Sequence, residues 1–174
     1  MDLAARKHFI ARFLWLTIPA PLIATGIAYS LLPPMSGLDE PGARLALAAR
    51  WLAVATLPYV AVCMTIAGSR FFEGSHDPTK GEESPRLKIH CRVMQNTLEQ
   101  LVWFAIALFA LAALAAPAQA RVIPIVCVVF AVSRLAYWWG YTRSGTLGRA
   151  PGVQLTFSLN FCMLLAVFAL MVRS

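Results

Sequence analysis

The chain has 174 residues, of which 59% are hydrophobic and only 13% are charged, and its net charge is +7. This composition lies far from that of an average soluble domain. Because the charges cluster and leave long charge-free runs, the sequence predicts an integral membrane protein, and the positive charge gives no reason to expect a nucleic-acid partner. Four cysteines stand singly and form no Cys/His cluster, so neither a disulfide framework nor a metal site is expected.

The apolar runs predict five membrane-spanning helices, each long enough for the hydrocarbon core of a bilayer. They lie at about 13–32, 45–69, 86–116, 122–142 and 153–172. The first run follows a basic start and contains Pro19 and Pro21, which are expected to kink it. A cleaved signal peptide is the rival interpretation of this run, and we favour a retained helix. The predicted division is an N-terminal helix with its connection at 1–44 and a four-helix domain at 45–174.

Turn-rich and charged segments separate the helices. Residues 33–43 are rich in Pro and Gly, 71–86 form the most polar stretch, and 143–152 are expected to form a short basic loop. Five helices place successive connections on alternating sides, and eleven Lys or Arg residues then fall on one side against four on the other. The positive-inside rule therefore predicts a cytoplasmic N-terminus and an external C-terminus.

A polar stripe marks the start of the third helix. Lys88, Arg92, Asn96 and Glu99 are spaced by three or four residues, which places them on one helix face, with Trp103 one turn further on. Charged groups within a membrane helix are costly and are usually buried against partners or face a wet cavity. The stripe is therefore a candidate functional site.

Further polar residues are expected at the same cytoplasmic end. Arg134, Tyr137 and Tyr141 share one face of the fourth helix, Arg70 ends the second, and Arg149 lies in the last loop. Several guanidinium groups with one acid suit a small ligand that is mainly anionic and carries one ammonium group. A nearby arginine or tyrosine would also favour the reactive thiolate form of a thiol.

Two structural alternatives stand beside the ligand site. The stripe could be a polar lock between helices, with Glu99 neutralised by Arg134 or by an arginine of another subunit. The aromatic residues of the fourth helix could form an interfacial belt, which is the favoured interpretation for Trp138 and Trp139.

The order and spacing of these residues resemble the MAPEG family, the membrane-associated proteins of eicosanoid and glutathione metabolism. The resemblance covers about 45–172 and is carried by Arg92-x3-Asn96-x2-Glu99, by Arg134-x2-Tyr137-x3-Tyr141 and by the Arg149-Ala-Pro segment. The segment from Asn96 to Leu101 is similar to bacterial members. The resemblance implies a homotrimer of four-helix subunits that bind glutathione, as a co-substrate, between subunits near the cytoplasmic face. It assigns glutathione contacts to Arg70, Arg92, Asn96 and Glu99 and a lining role to Tyr137 and Tyr141. Arg134, on the same helix face as the two tyrosines, is also expected to bind the ligand.

Two departures from the family pattern concern catalysis. Where the eicosanoid-type members have a thiol-activating arginine this chain has Val153, and a tyrosine expected one turn later is Phe157. Arg149, one turn earlier, is the substitute candidate, and Arg149 and Tyr141 are the predicted catalytic pair.

Three functions follow as hypotheses. The first is a glutathione transferase or peroxidase that acts on a hydrophobic small molecule at the cytoplasmic side of a bacterial inner membrane. The second is a non-catalytic binding or accessory protein on the same scaffold, which Val153 favours. The third is an ion or proton pathway through Glu99, which lacks the further buried acids that a relay requires.

Overall fold

The computed structural model of the chain describes residues 11, 14–74, 77 and 83–173. Within these residues five helices are long and apolar enough to span a membrane, and no strand occurs. The predicted all-α membrane fold is therefore confirmed. The basic start of the chain and most of the loop between the second and third helices lie outside the described residues.

The helical bounds differ from the predicted apolar runs: the first helix is shorter, and the second, fourth and fifth helices are longer. They are α1 (Ala20–Leu31), α2 (Pro41–Glu73), α3 (Pro85–Leu114), α4 (Val122–Gly148) and α5 (Ala150–Arg173), with a short 3-10 turn at Pro117–Gln119. A helical turn at 14–17 precedes α1, and Ile18 and Pro19 separate the two, as expected for a proline kink. At about 1.5 Å per residue, α2 with its 33 residues is longer than the bilayer core, so its ends project beyond the apolar run.

Four helices form the bundle, and α1 lies outside it. Around the ring the order is α2, α3, α5 and α4, because α2 and α5 each pack against both α3 and α4. The core includes a stacked pair, Phe104 and Phe130, whose ring centroids lie 4.3 Å apart. Helix α1 packs against α4 and α5, and most of its large apolar side chains remain exposed, as befits a helix in lipid.

Buried arginines occur at both ends of the bundle. At the end where α2 begins, here called the outer end, Arg44 is only 5% exposed and donates to the backbone oxygens of Leu38, Asp39, Ala112 and Ala113. These bonds tie the loop before α2 to the last turn of α3. The opposite end, here called the inner end, contains Arg134 and the predicted site.

The prediction of a loop at 143–152 is wrong, because most of this segment is helical. The chain leaves helical geometry only at Ser144 and Gly145, and Gly145 has φ 58° and ψ −140°, a conformation that glycine adopts without steric cost. Arg149 has helical backbone angles and directly precedes α5. The link between α4 and α5 is consequently tight, which holds Arg149 against the bundle.

Candidate ligand site at the inner end of the bundle

A cavity of about 330 Å³ opens at the inner end, where α3, α4 and α5 meet. We call it the inner cavity. Its lining residues are Asn96, Tyr137, Thr146, Arg149, Ala150, Val153 and Gln154. Three predicted site residues from three different parts of the chain, Asn96, Tyr137 and Arg149, therefore share one cavity wall.

Arg134 stands directly behind this cavity, 1% exposed. Its Nη2 donates to Asn96 Oδ1 at 3.0 Å and its Nη1 donates to Thr156 Oγ1 at 3.3 Å. Its guanidinium carbon lies 4.1 Å from the centroid of the Tyr137 ring, a cation–π distance. The Nε atom is buried without a hydrogen-bond partner among the described residues.

No carboxylate pairs with Arg134 in the described part of the chain, where the ion pair found is Arg70 with Glu83. Every polar contact of the buried guanidinium within this described part is thus to a neutral group. A buried charge without a counterion is costly. The interior behind the inner cavity therefore favours an anion in the cavity.

Tyr137, Tyr141 and Arg149 form a second group at the same place. The tyrosine ring centroids lie 5.9 Å apart, and the Arg149 guanidinium lies 5.1 Å from the centroid of the Tyr141 ring. Both tyrosines are buried, so they belong to the protein interior rather than to an interfacial belt. The structure therefore brings the polar face of α4 together with Arg149, as predicted.

The start of α5 packs closely against α4 because the contact residue, Gly152, has no side chain. A Cβ atom on Gly152 would collide with the backbone of Tyr137, so only glycine permits this approach. Ala150, the first residue of α5, lines the inner cavity as a result. The positive end of the α5 dipole adds to the charge of Arg149 at the cavity wall and of Arg134 behind it.

The remaining predicted residues lie outside the cavity lining. Arg92 and Glu99 are exposed on the surface of α3, and Glu99 accepts a hydrogen bond from Gln95 Nε2 at 3.0 Å. Arg70 donates from Nη2 to Glu83 at 2.8 Å instead of reaching the cavity. The suggested lock between Glu99 and Arg134 does not form within the chain, since Arg134 bonds Asn96.

Several polar residues of the site were missed from the sequence. Thr156 accepts from Arg134, and Gln154 lines the cavity while its Oε1 accepts from Thr17 Oγ1 at 2.5 Å. One turn deeper, Asn160 donates to the backbone and side-chain oxygens of Gln100 at 3.1 and 3.2 Å. The available signal was the run of polar residues in a helix that carries no charge until Arg173.

Trp138 was interpreted as part of an interfacial belt, and that interpretation is incomplete. Its Nε1 donates to Nδ1 of the buried His90 at 3.0 Å, so the indole links α4 to α3. Trp139 is 62% exposed, in keeping with a lipid-interface residue.

The geometry defines a polytopic helical membrane protein with a cationic cavity at one end of its bundle. The model of the MAPEG family matches residues 45–169, which is most of the chain, and the protein belongs to that family. It is therefore a membrane protein of the group concerned with eicosanoid and glutathione metabolism. Searches of curated proteins and of solved structures returned no significant match.

Proposed function

We propose that the protein binds glutathione in the inner cavity and reacts its thiol with hydrophobic electrophiles, as a glutathione transferase or peroxidase-type enzyme. The observation that carries the proposal is the buried Arg134, which has no acid partner among the described residues and lies behind a cavity edged by Arg149. Glutathione supplies what such a cavity favours, namely carboxylates and a thiol whose anion is stabilised by nearby positive charge.

In this proposal, different residues bind different parts of glutathione. The positive charge of the cavity comes from Arg149 at its wall and from Arg134, which lies behind Asn96 and Tyr137. Arg92 and Arg70, which lie outside the cavity lining in the single chain, are assigned to the carboxylates of the ligand, and Glu99 is assigned to its ammonium group. Arg149 and Tyr141 lie nearest to the thiol and stabilise its thiolate.

We further propose that the working unit is a homotrimer. Its support is the first half of α3, where Lys88, Arg92, Gln95 and Glu99 are all exposed on a helix that is long and apolar enough to span a membrane. Charged side chains facing lipid are expensive. A neighbouring subunit that covers this face would shield them and bring Arg92 and Glu99 to a shared ligand.

The chemistry proposed is nucleophilic attack by the glutathione sulfur. With an aryl halide, a bond forms between the sulfur and the ring carbon, the halide leaves with the bonding electrons, and the thiol proton passes to solvent. Positive groups around the sulfur raise the thiolate fraction and so raise the rate. The proposed location of this reaction is the cytoplasmic face of a bacterial inner membrane.

Calorimetric titration of glutathione into the detergent-solubilised protein tests the proposal. Saturable binding is expected for the wild type, with weaker binding by Arg92→Ala and Glu99→Gln. Arg50→Ala serves as the matched control, because Arg50 is an exposed arginine of α2 away from the inner cavity. A wild type that shows no saturable binding refutes both the ligand and the residue roles.

A second candidate is a non-catalytic glutathione-binding or accessory protein on the same scaffold. The observation in its favour is Val153, which lines the inner cavity where an activating arginine is expected. The two candidates separate on conjugation of a generic aryl halide: saturable glutathione binding without turnover above the uncatalysed rate establishes the accessory role.

A further inference from the structure

Two further cavities join at the inner end of the bundle, where α2, α3 and α4 meet. The shallow one has a volume of about 500 Å³ and the deep one about 380 Å³, and both are lined by Arg86, Trp139 and Thr142. We call the pair the tryptophan groove. Its other lining residues are Pro85, Ile89 and Arg143 in the shallow part and Thr65, His90, Leu135 and Trp138 in the deep part. Among the described residues, none lines both this groove and the inner cavity.

The two parts of the groove differ in polarity. Arg86, the second residue of α3, and Arg143, which directly precedes the break in α4, place two guanidiniums in the shallow part. Leu135 lies about 12 Å deeper along α4 than Arg143, because each residue of a helix rises by about 1.5 Å. With the indole of Trp138 it gives the deep part large apolar surfaces. A groove that is cationic at its mouth and apolar toward the middle of the bilayer matches the two ends of an anionic lipid.

The two arginines of the groove have no acid partner in the described part of the chain. Glu83 pairs with Arg70 instead, and Glu73 accepts a hydrogen bond from the side chain that caps α3. Neither part of the groove has an acid among its lining residues. Two unpaired guanidiniums in one chamber favour a phosphate, whose oxygens accept charge-assisted hydrogen bonds.

Side-chain contacts fix the walls of the groove. Trp138 Nε1 donates to Nδ1 of the buried His90, and the two rings meet edge-on with centroids 5.9 Å apart. In the shallow part, the Arg143 guanidinium lies 4.9 Å from the centroid of the Trp139 ring, a cation–π distance. These contacts belong to the chain itself, so the groove is preorganised for a ligand.

We propose that the tryptophan groove binds one anionic phospholipid of the leaflet at the inner end, with its phosphate between Arg86 and Arg143 and one acyl chain along Trp138 and Leu135. The predicted topology places this end on the cytoplasmic side, where basic pockets between membrane helices bind anionic headgroups. The apolar deep part favours a lipid over a free phosphate, because a free phosphate has no group to fill it. The inference does not depend on the proposed function.

The groove and the proposed subunit contact use different faces of α3. His90 precedes Glu99 by nine residues, and at about 100° per residue the two side chains lie on opposite sides of the helix. A bound lipid and a neighbouring subunit therefore do not compete. Loss of the lipid is expected to leave glutathione binding unchanged.

Native mass spectrometry of the protein in mild detergent tests the headgroup part of the proposal. The wild type is expected to bind phosphatidylglycerol about tenfold or more tightly than phosphatidylcholine with the same acyl chains, since the two guanidiniums attract its net negative charge. Arg86→Gln/Arg143→Gln should lose this preference. Arg86→Lys/Arg143→Lys should keep most of it, because the charges remain. Arg50→Gln is the control, at an exposed arginine of α2 outside the groove. A preference that survives in the double glutamine variant overturns the inference.

Photolabelling tests where the acyl chain lies. Phosphatidylglycerol with a diazirine on its chain is expected to label α4 peptides around Trp138 in the wild type and in Leu57→Trp, but much less in Leu135→Trp, which fills the deep part. Leu57 is the matched control because it is an exposed leucine of α2 outside the groove. Glycerol phosphate at equimolar concentration, which has the headgroup without the chains, should not displace the label. Displacement by glycerol phosphate, or equal labelling of the two tryptophan variants, overturns the inference.

Discussion

Arg134 and Asn96 join α4 to α3 through a 3.0 Å hydrogen bond between Nη2 and Oδ1. The guanidinium is buried and the amide is half-buried at the wall of the inner cavity, so the bond places a charged group directly behind a polar lining. Its partners there are neutral. The bond thus serves both the packing of the helices and the electrostatics of the site.

Asn96→Leu should destabilise the protein, because it removes one of the hydrogen-bond partners of a buried guanidinium. The expected loss is about 1–3 kcal/mol in the free energy of unfolding, seen as a lower Tm in detergent. Gln95→Leu is the control, since Gln95 neighbours Asn96 in sequence but is exposed. Equal Tm values for the two variants would contradict the role given to Asn96.

Arg149→Ala should slow conjugation more than it weakens glutathione binding. Loss of the guanidinium beside Tyr141 reduces the stabilisation of a thiolate, and a fall in kcat of about 10–100-fold is expected, with the pH for half-maximal rate moving upward. Arg143→Ala is the matched control, because Arg143 contacts the exposed Trp139 ring at 4.9 Å rather than the inner cavity. An unchanged pH–rate profile for Arg149→Ala would remove Arg149 from catalysis.

Gly152→Ala should disrupt the inner end of the bundle. Its new methyl group meets the backbone of Tyr137, so α5 must move away from α4, and both Tm and glutathione affinity are expected to fall. Gly68→Ala is the control within α2: open space surrounds that position, and the change is expected to be neutral or stabilising by up to about 1 kcal/mol. Similar effects from the two substitutions would refute the close approach.

Arg44→Met should lower stability without reaching the ligand site. It removes four hydrogen bonds from a buried guanidinium to backbone oxygens, and a loss of about 3 kcal/mol or more in the free energy of unfolding is expected. Glutathione affinity of the folded fraction should be unchanged, because Arg44 lies at the outer end. The control is Arg50→Met, at an exposed position of the same helix.

The predicted topology is checked by cysteine labelling from each side of the membrane. In a variant without the native cysteines, Phe72→Cys at the exposed end of α2 should react only from the cytoplasmic side. Asp39→Cys, exposed at the outer end, should react only from the opposite side. Reversed accessibility of both positions would invert the orientation expected from the positive-inside rule.

Hydrophobic periodicity and residue spacing were sufficient to predict the five helices and the polar faces of α3 and α4. They did not determine which polar residue meets which, because helix pairing is decided by packing between segments far apart in sequence. Arg134 was therefore considered as a partner for Glu99, whereas it bonds Asn96 and Thr156. Thr156 went unnoticed because a threonine in an apolar helix usually bonds its own backbone, as Thr156 also does with Gly152.

The link between α4 and α5 was mispredicted for a related reason. Gly145, Gly148 and Gly152 are typical of a loop, yet among them only Gly145 leaves helical geometry. Gly152 permits close contact between α5 and α4, and Gly148 meets Gly140 across the break within α4. From sequence alone, a glycine that breaks a helix and a glycine that admits a neighbouring helix look the same.

The hydrogen bonds of Arg44 make the two ends of the bundle differ in their capacity to bind an anion. Four N–H···O contacts engage the donors of this guanidinium, which has five N–H groups in all. An anion arriving from that side finds a cation already committed to backbone carbonyls, whereas the partners of Arg134 that the structure describes at the other end are neutral. Under the proposed function, a charged ligand would therefore enter, and its conjugate would leave, at the inner end of the bundle.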